Sequence, residues 1–144
     1  MSYKPIICID FDGVIHSYEN GWQDGEIYGI VIPGFFEWLD RAKDHFQCVV
    51  YSSRSKADDG VAKMQQWIAN EWMRIVVNDR TNQKLADLSS YSWHPLDSLE
   101  FAFTKPAAFL TIDDRCIRFT GDWTESNLAP ENLKRYVPWN KEAT

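Results

Sequence analysis

An α/β fold on a mainly parallel sheet is what this sequence predicts, from two observations. Short apolar runs rich in β-branched residues end in acidic or hydroxyl side chains, and between them apolar residues recur at helical spacing. Ile6 to Ile9 is the first run, closed by Asp10, the pattern of a strand buried on both faces. Pro33-Gly34 then opens a stretch with Phe35, Leu39, Ala42 and Phe46 on one helical stripe, which stops before a second apolar run from Cys48 to Tyr51. Strand, helix and strand in that order make a βαβ unit. Val61, Met64, Ile68 and Trp72 repeat the stripe, and Phe109 to Ile112 reads as another buried strand. Arg118, Phe119 and Asp122-Trp123 are expected to complete the sheet edge, and Pro130 to Tyr136 reads as a short helix. The stretch 78–98, polar and interrupted by Pro95, has no legible pattern.

A chain of 144 residues, 44% hydrophobic and 15% aromatic, suits one domain over 1–144 with a single core. The formal charge of -6 provides no overall basic field for a phosphate backbone, so a nucleic-acid partner would need a local basic cleft. Met1 to Pro5 has no charged leader followed by an apolar segment, and no apolar run approaches the roughly 18 to 20 residues of a membrane span. A cytoplasmic protein with no membrane partner is the expectation. Cys8, Cys48 and Cys116 lack a Cys-x-x-Cys spacing and read as reduced core residues, while His16, His45 and His94 lie too far apart to suggest zinc.

In open parallel sheets, ligands bind beyond the carboxyl ends of the strands. Those ends carry Asp10-Phe11-Asp12-Gly13, Ser52-Ser53-Arg54-Ser55 and Asp113-Asp114-Arg115. Carboxylates crowded at one edge raise one another's pKa values unless a cation sits among them. Magnesium (Mg²⁺) answers that need, since it takes one or two carboxylates together with waters and a phosphate oxygen. Arg54, Arg115 and a lysine would balance the phosphate. This is the inventory of a phosphoryl-transfer site.

Asp10-Phe11-Asp12-Gly13-Val14 resembles the first motif of the haloacid dehalogenase-like (HAD) superfamily, Val49-Val50-Tyr51-Ser52 its second, and Leu110-Thr111-Ile112-Asp113-Asp114 its fourth. The order and the strand-end placement match over Ile6 to Asp114. The Ser-x-Arg at Ser52 to Arg54 and the Ile-Asp-Asp-Arg at Ile112 to Arg115 are also similar to the phosphatase domain of phage polynucleotide kinases. No G-x-x-x-x-G-K-[ST] is present, so a fused kinase is not expected. The resemblance implies a three-layer Rossmann-like fold with a small flap and no large cap, and a Mg²⁺-dependent phosphomonoester hydrolase.

It also implies roles. Asp10 would be the nucleophile that forms an aspartyl-phosphate, and Asp12 the general acid and then base. The metal would be held by the Asp10 carboxylate, the Asp12 backbone carbonyl and Asp114, with Asp113 bridging through water. Ser52 would hydrogen-bond the phosphoryl group, unless it only caps the helix following the second strand. Ser53 is the less favoured serine. Arg54 and Arg115 are candidate substrate-binding groups, each with a structural ion pair as the alternative.

For the motif lysine two positions compete. Lys105, in Thr104-Lys105-Pro106, is similar to a Lys-Pro preceding the last motif, and an extended return of ~3.3 Å per residue lets it reach the carboxyl edge; the third strand then lies near Phe101 to Thr104. In the alternative, Arg74 to Val77 is that strand and Lys84 opens a crossover helix. The segment between Asp12 and Pro33 suits a hairpin flap, whose His16, Tyr18 and Trp22 either close over the site or pack the flap onto the sheet. Substrates expected at so open a site are phosphorylated small molecules or nucleotides, a polynucleotide end among them. A catalytically weak phosphate-binding or regulatory module is the rival function.

Overall fold

The β-branched run Ile6–Ile9 forms β1, and Gln47–Val50 (β2), Leu99–Phe101 (β3) and Leu110–Ile112 (β4) join it in one sheet of order β3-β2-β1-β4, every pairing parallel. The coordinates are those of a computed structural model, which describes residues 3–78, 83–90 and 93–141. In register, Ile7 stands opposite Cys48 and Leu110, and Ile9 opposite Val50 and Ile112. The strands therefore end level. The Asp10 backbone N–H donates to the Ile112 carbonyl at 2.9 Å, which puts Asp10 beside the residues that follow β4.

Among the described residues four α-helices accompany the sheet: Phe35–Ala42 (α1), Gly60–Asn78 (α2), Gln83–Ser90 (α3) and Pro130–Leu133 (α4). Of the expected stripes, Phe35, Leu39 and Ala42 are buried on α1, joined by Phe36, while Phe46 lies beyond the helix and is half-buried; on α2, Met64, Ile68 and Trp72 are buried and Val61 is half-buried. These side chains meet Ile7, Ile9, Cys48, Val50 and Leu99 in one core cluster, the alternate residues of β1, β2 and β3. Each large apolar group so enclosed contributes ~1.5–3 kcal/mol. Trp72 lies edge-on to Phe36 and Trp93, with ring centroids 5.2 and 5.4 Å away.

The third strand is Leu99–Phe101, slightly ahead of its expected place, and Arg74 to Val77 belongs to α2 instead of forming a strand. From β3 the connection 102–109 carries the chain to the far side of β1 without a helix. Lys105 on it comes within electrostatic reach of Cys8, whose side chain alternates away from the core cluster.

Four expectations fail at the periphery. Phe109 to Ile112 is not a buried strand: β4 is a sheet edge that α1 and α2 do not cover, and Leu110 and Ile112 are 54% and 38% exposed. Residues 118–123 add no strand, and Cys116 is exposed, not core. Between Asp12 and Pro33 there is no hairpin, only isolated bridges of His16 with Asp12 and Val31 and a 3₁₀ turn at Gln23–Gly25. That flap is fastened to α2 by polar bonds. Trp67 Nε1 donates to the Gly29 carbonyl (3.1 Å), and the Val31 N–H donates to the buried Glu71 carboxylate (2.7 Å). Burial pushes the Glu71 carboxyl up, yet the bonds from Arg74 and the Val31 N–H outweigh it and hold the group below its ordinary value. Among the described residues no helix is long and apolar enough to cross a membrane.

Candidate functional site: an acidic edge and a clamped aspartate

At the carboxyl edge, Asp10 leaves β1 and Asp113 and Asp114 leave β4, so two adjacent parallel strands deliver three carboxylates to one place. An oxygen from each lies within 4.8 Å of the others. Burial, the Asp113 charge and the hydrogen bond with Asp114 push the Asp10 carboxyl up to about 8, against the opposing bond from the Phe11 N–H. Asp114 is also pushed up, first by burial. Its side chain is 4% exposed, and the nearest cation is the Arg115 Nε at 3.9 Å from Oδ2. Gly13 is needed beneath it: φ is 80°, and a Cβ there would sit 2.2 Å from Asp114 Oδ2.

An all-carboxylate set of this kind suits a hard divalent cation, which takes oxygen ligands. Both Asp113 and Asp114 offer an oxygen to the group, so the expected division between a direct and a water-bridging acid is not drawn by the geometry. Asp113 Oδ1 also accepts the Arg115 backbone N–H at 2.9 Å.

Asp12 points elsewhere. Its Oδ1 lies 2.9 Å from His16 Nδ1, and its Oδ2 accepts from Arg54 Nε at 2.8 Å. The Gly29 backbone N–H donates to His16 Nε2 (3.0 Å), so the imidazole carries its hydrogen on Nδ1 and donates it to Asp12. His16 is fully buried. Arg54 also donates from Nη1 to the Gly25 carbonyl (2.7 Å), and its guanidinium lies 4.6 Å from the Trp22 ring centroid. Its Nη2 is buried with no hydrogen-bond partner. Both oxygens of Asp12 are thus held by donors, one from the flap and one from the loop after β2. Of the three flap residues, His16 packs inward and Trp22 covers Arg54.

Sequence reasoning placed Arg54 against substrate or in a surface ion pair; here it is buried and paired with Asp12. Arg115 stays 58% exposed. Ser52 Oγ accepts the Arg54 N–H (3.2 Å), and Ser55 Oγ accepts the Ser52 N–H (3.1 Å), a capping box that leaves the Ser52 hydroxyl hydrogen available. Ser53 is exposed. Lys105 is exposed and makes no ion pair among the described residues. Lys84 lies on α3 with its ammonium 3.8 Å from Asp40 on α1.

Three groups at the site carried no sequence signal for it. Trp139 donates from Nε1 to the Gly13 carbonyl (2.7 Å), Asn140 from Nδ2 to the Ser17 carbonyl (2.6 Å), and the Tyr136 hydroxyl to the Asp114 carbonyl. They sit far along the chain, and only the path of the segment brings them back. For His16, its place four residues after Asp12 was the available hint. No protein-family model, curated protein or solved structure matches the chain, which leaves the acidic edge and the clamp on Asp12 as the features that bear on its function.

Proposed function

We propose that this chain is a Mg²⁺-dependent phosphomonoester hydrolase that works through an aspartyl-phosphate on Asp10, as the resemblance of its motifs to the haloacid dehalogenase-like superfamily implies. The observation that carries the reading is the meeting of the Asp10, Asp113 and Asp114 carboxylates within 4.8 Å. Bound among them, the cation offsets their charge and that of the phosphoryl oxygens, which allows an anionic substrate to approach. In the first step an Asp10 oxygen attacks phosphorus, the ester P–O bond breaks, and the leaving oxygen takes a proton from Asp12. In the second, water attacks the phosphorus of the acyl phosphate and gives a proton to Asp12, and Asp10 leaves as carboxylate.

The second step needs Asp12 as a proton acceptor. For the first step Asp12 must carry a proton, which displaces one of its two donors. Ser52 would donate its hydroxyl hydrogen to the phosphoryl group, and Lys105 would supply the balancing charge. Nucleotides and other phosphorylated small molecules are the substrates of this reading. The same clamp favours one rival, a phosphate-binding module of low turnover, since both Asp12 oxygens are engaged. A panel of phosphomonoesters assayed with magnesium and with chelator separates the two. Turnover that needs the cation and is lost in Asp10→Asn supports the hydrolase; a cation-dependent thermal shift without turnover supports the rival; neither response would remove the metal site.

A further inference from the structure

Residues 136–141 bring the chain back across the loop that follows β1. Trp139, Asn140 and Lys141 donate in succession to the carbonyls of Gly13, Ser17 and Glu19, the last from Nζ at 3.1 Å. The Tyr136 hydroxyl is bonded to the Asp114 carbonyl. This segment borders an open cavity of about 260 Å³ lined by Arg115, Tyr136, Val137, Pro138 and Lys141. Two of those five side chains are cationic and none is acidic, in a chain whose net charge is -6.

We infer that this cavity receives a second phosphate, so that the favoured substrate is a phosphomonoester whose leaving group carries another phosphate. The inference rests on the hydrolase reading of the acidic edge. Arg115 joins the two places: its backbone N–H is held by Asp113, while its side chain lines the cavity. A substrate with one phosphate at the carboxylates would meet the cavity through Arg115, the residue that directly follows Asp114. The volume falls below the ~300–1,000 Å³ that encloses a whole small-molecule ligand, so the cavity takes one group of a larger substrate. Arginine offers a planar fork to phosphate and lysine a mobile point charge. The Tyr136 ring, Val137 and Pro138 provide an apolar wall for the body between the phosphates.

A second phosphate can be a free monoester, as in a nucleoside bisphosphate, or the diester next to a strand end. The test titrates the Asp10→Asn protein with magnesium by calorimetry, using adenosine 3′,5′-bisphosphate, adenosine 5′- and 3′-monophosphates, and an adenosine dinucleotide ending in a 3′-phosphate. The bisphosphate is expected to bind roughly tenfold tighter than either monophosphate, the effect of charge-assisted bonds at a part-exposed site. Arg115→Gln with Lys141→Gln brings the ratio near one, and Lys141→Arg alone keeps it. A dinucleotide that shares the gain assigns the second phosphate to a strand end, and one that binds like a monophosphate assigns it to a free bisphosphate. Unfolding midpoints in urea check that the variants keep their fold. Turnover of the same ligands by the unaltered protein separates the two ideas. Hydrolysis of a monophosphate with equal affinity for all ligands overturns the cavity and retains the hydrolase. A bisphosphate preference that vanishes with the paired substitution, in a protein that hydrolyses none of them, retains the cavity and overturns the hydrolase.

Discussion

Replacing Arg54 tests whether this arginine serves the fold and Asp12 or serves the substrate directly. Its side chain is 5% exposed and that of its partner Asp12 13% exposed, with 2.8 Å between Nε and Oδ2. Arg54→Met keeps much of the volume but leaves the Asp12 carboxylate with His16 alone and strips the Gly25 carbonyl of its donor. Removing one partner of a buried ion pair costs ~3–5 kcal/mol. Because Asp12 retains one donor and some solvent contact, the lower end, about 3 kcal/mol, is the expectation. Urea unfolding measures it as a lowered midpoint at constant slope. The Asp12→Asn, Arg54→Met double-mutant cycle is expected to return a coupling of at least ~1 kcal/mol, as contacting residues do. On activity, Arg54→Met lowers kcat by up to the roughly 10²- to 10⁴-fold that general acid–base help provides, with KM little changed. A loss of stability below ~0.5 kcal/mol together with a raised KM would refute this reasoning and return Arg54 to the substrate.

The remaining predictions concern the acidic edge and its supports. On the hydrolase reading, Asp10→Asn is expected to abolish turnover in the phosphomonoester assay while the protein still unfolds cooperatively, and transfer of phosphate to a serine would contradict the scheme. In chelator, the unaltered protein loses stability as pH rises: folded Asp10 keeps its proton to about 8, whereas the ordinary value is 3.8, so the unfolded chain binds fewer protons across that window. Magnesium accordingly raises Tm more near the upper end of that window than near the lower, and Asp10→Asn flattens the slope; an equal slope in the variant would count against the cluster. Gly13→Ala forces a positive φ on alanine and drives a methyl into Asp114, so a cost of ~1–3 kcal/mol and weaker magnesium binding by calorimetry are expected. His16→Phe strands the Gly29 N–H and frees Asp12 Oδ1, with a loss of ~1–3 kcal/mol in urea unfolding; an unchanged midpoint would show that the imidazole bonds are dispensable.

The residues that meet at the acidic edge were legible because each ends an apolar run, and parallel strands in register align their ends by construction. What periodicity does not carry is direction. Asp12 reads as a group aimed at a ligand and Arg54 as aimed at a ligand or held in a surface ion pair, whereas the two are paired with each other beneath Trp22 and the Gly25 carbonyl. The Leu110-Thr111-Ile112 run reads as buried because a short apolar stretch has the same signature in the middle of a sheet as at its edge. Its exposure follows from its place as the edge strand β4, which α1 and α2 do not cover. Of the two readings for the motif lysine, the one with an extended return after Lys105 agrees with the helix-free connection between β3 and β4, since a helix of that length would not reach across the sheet.

The uneven anchoring of the three acids has a consequence for how the protein breathes. Asp10 follows a strand bonded on both sides and packed into the core, while Asp113 and Asp114 follow a three-residue edge strand with half its neighbours. Edge segments with few buried contacts open at lower free energy than central ones. The acid pair can therefore detach from Asp10 while the rest of the sheet stays closed, dismantling the constellation without unfolding the domain. A cation held by all three would act as a clasp between the firm and the loose half of the sheet. Amide hydrogen exchange at Thr111 and Ile112 would then slow on loading far more than exchange at Cys8 and Ile9, so that occupancy of the site is written into the local stability of β4.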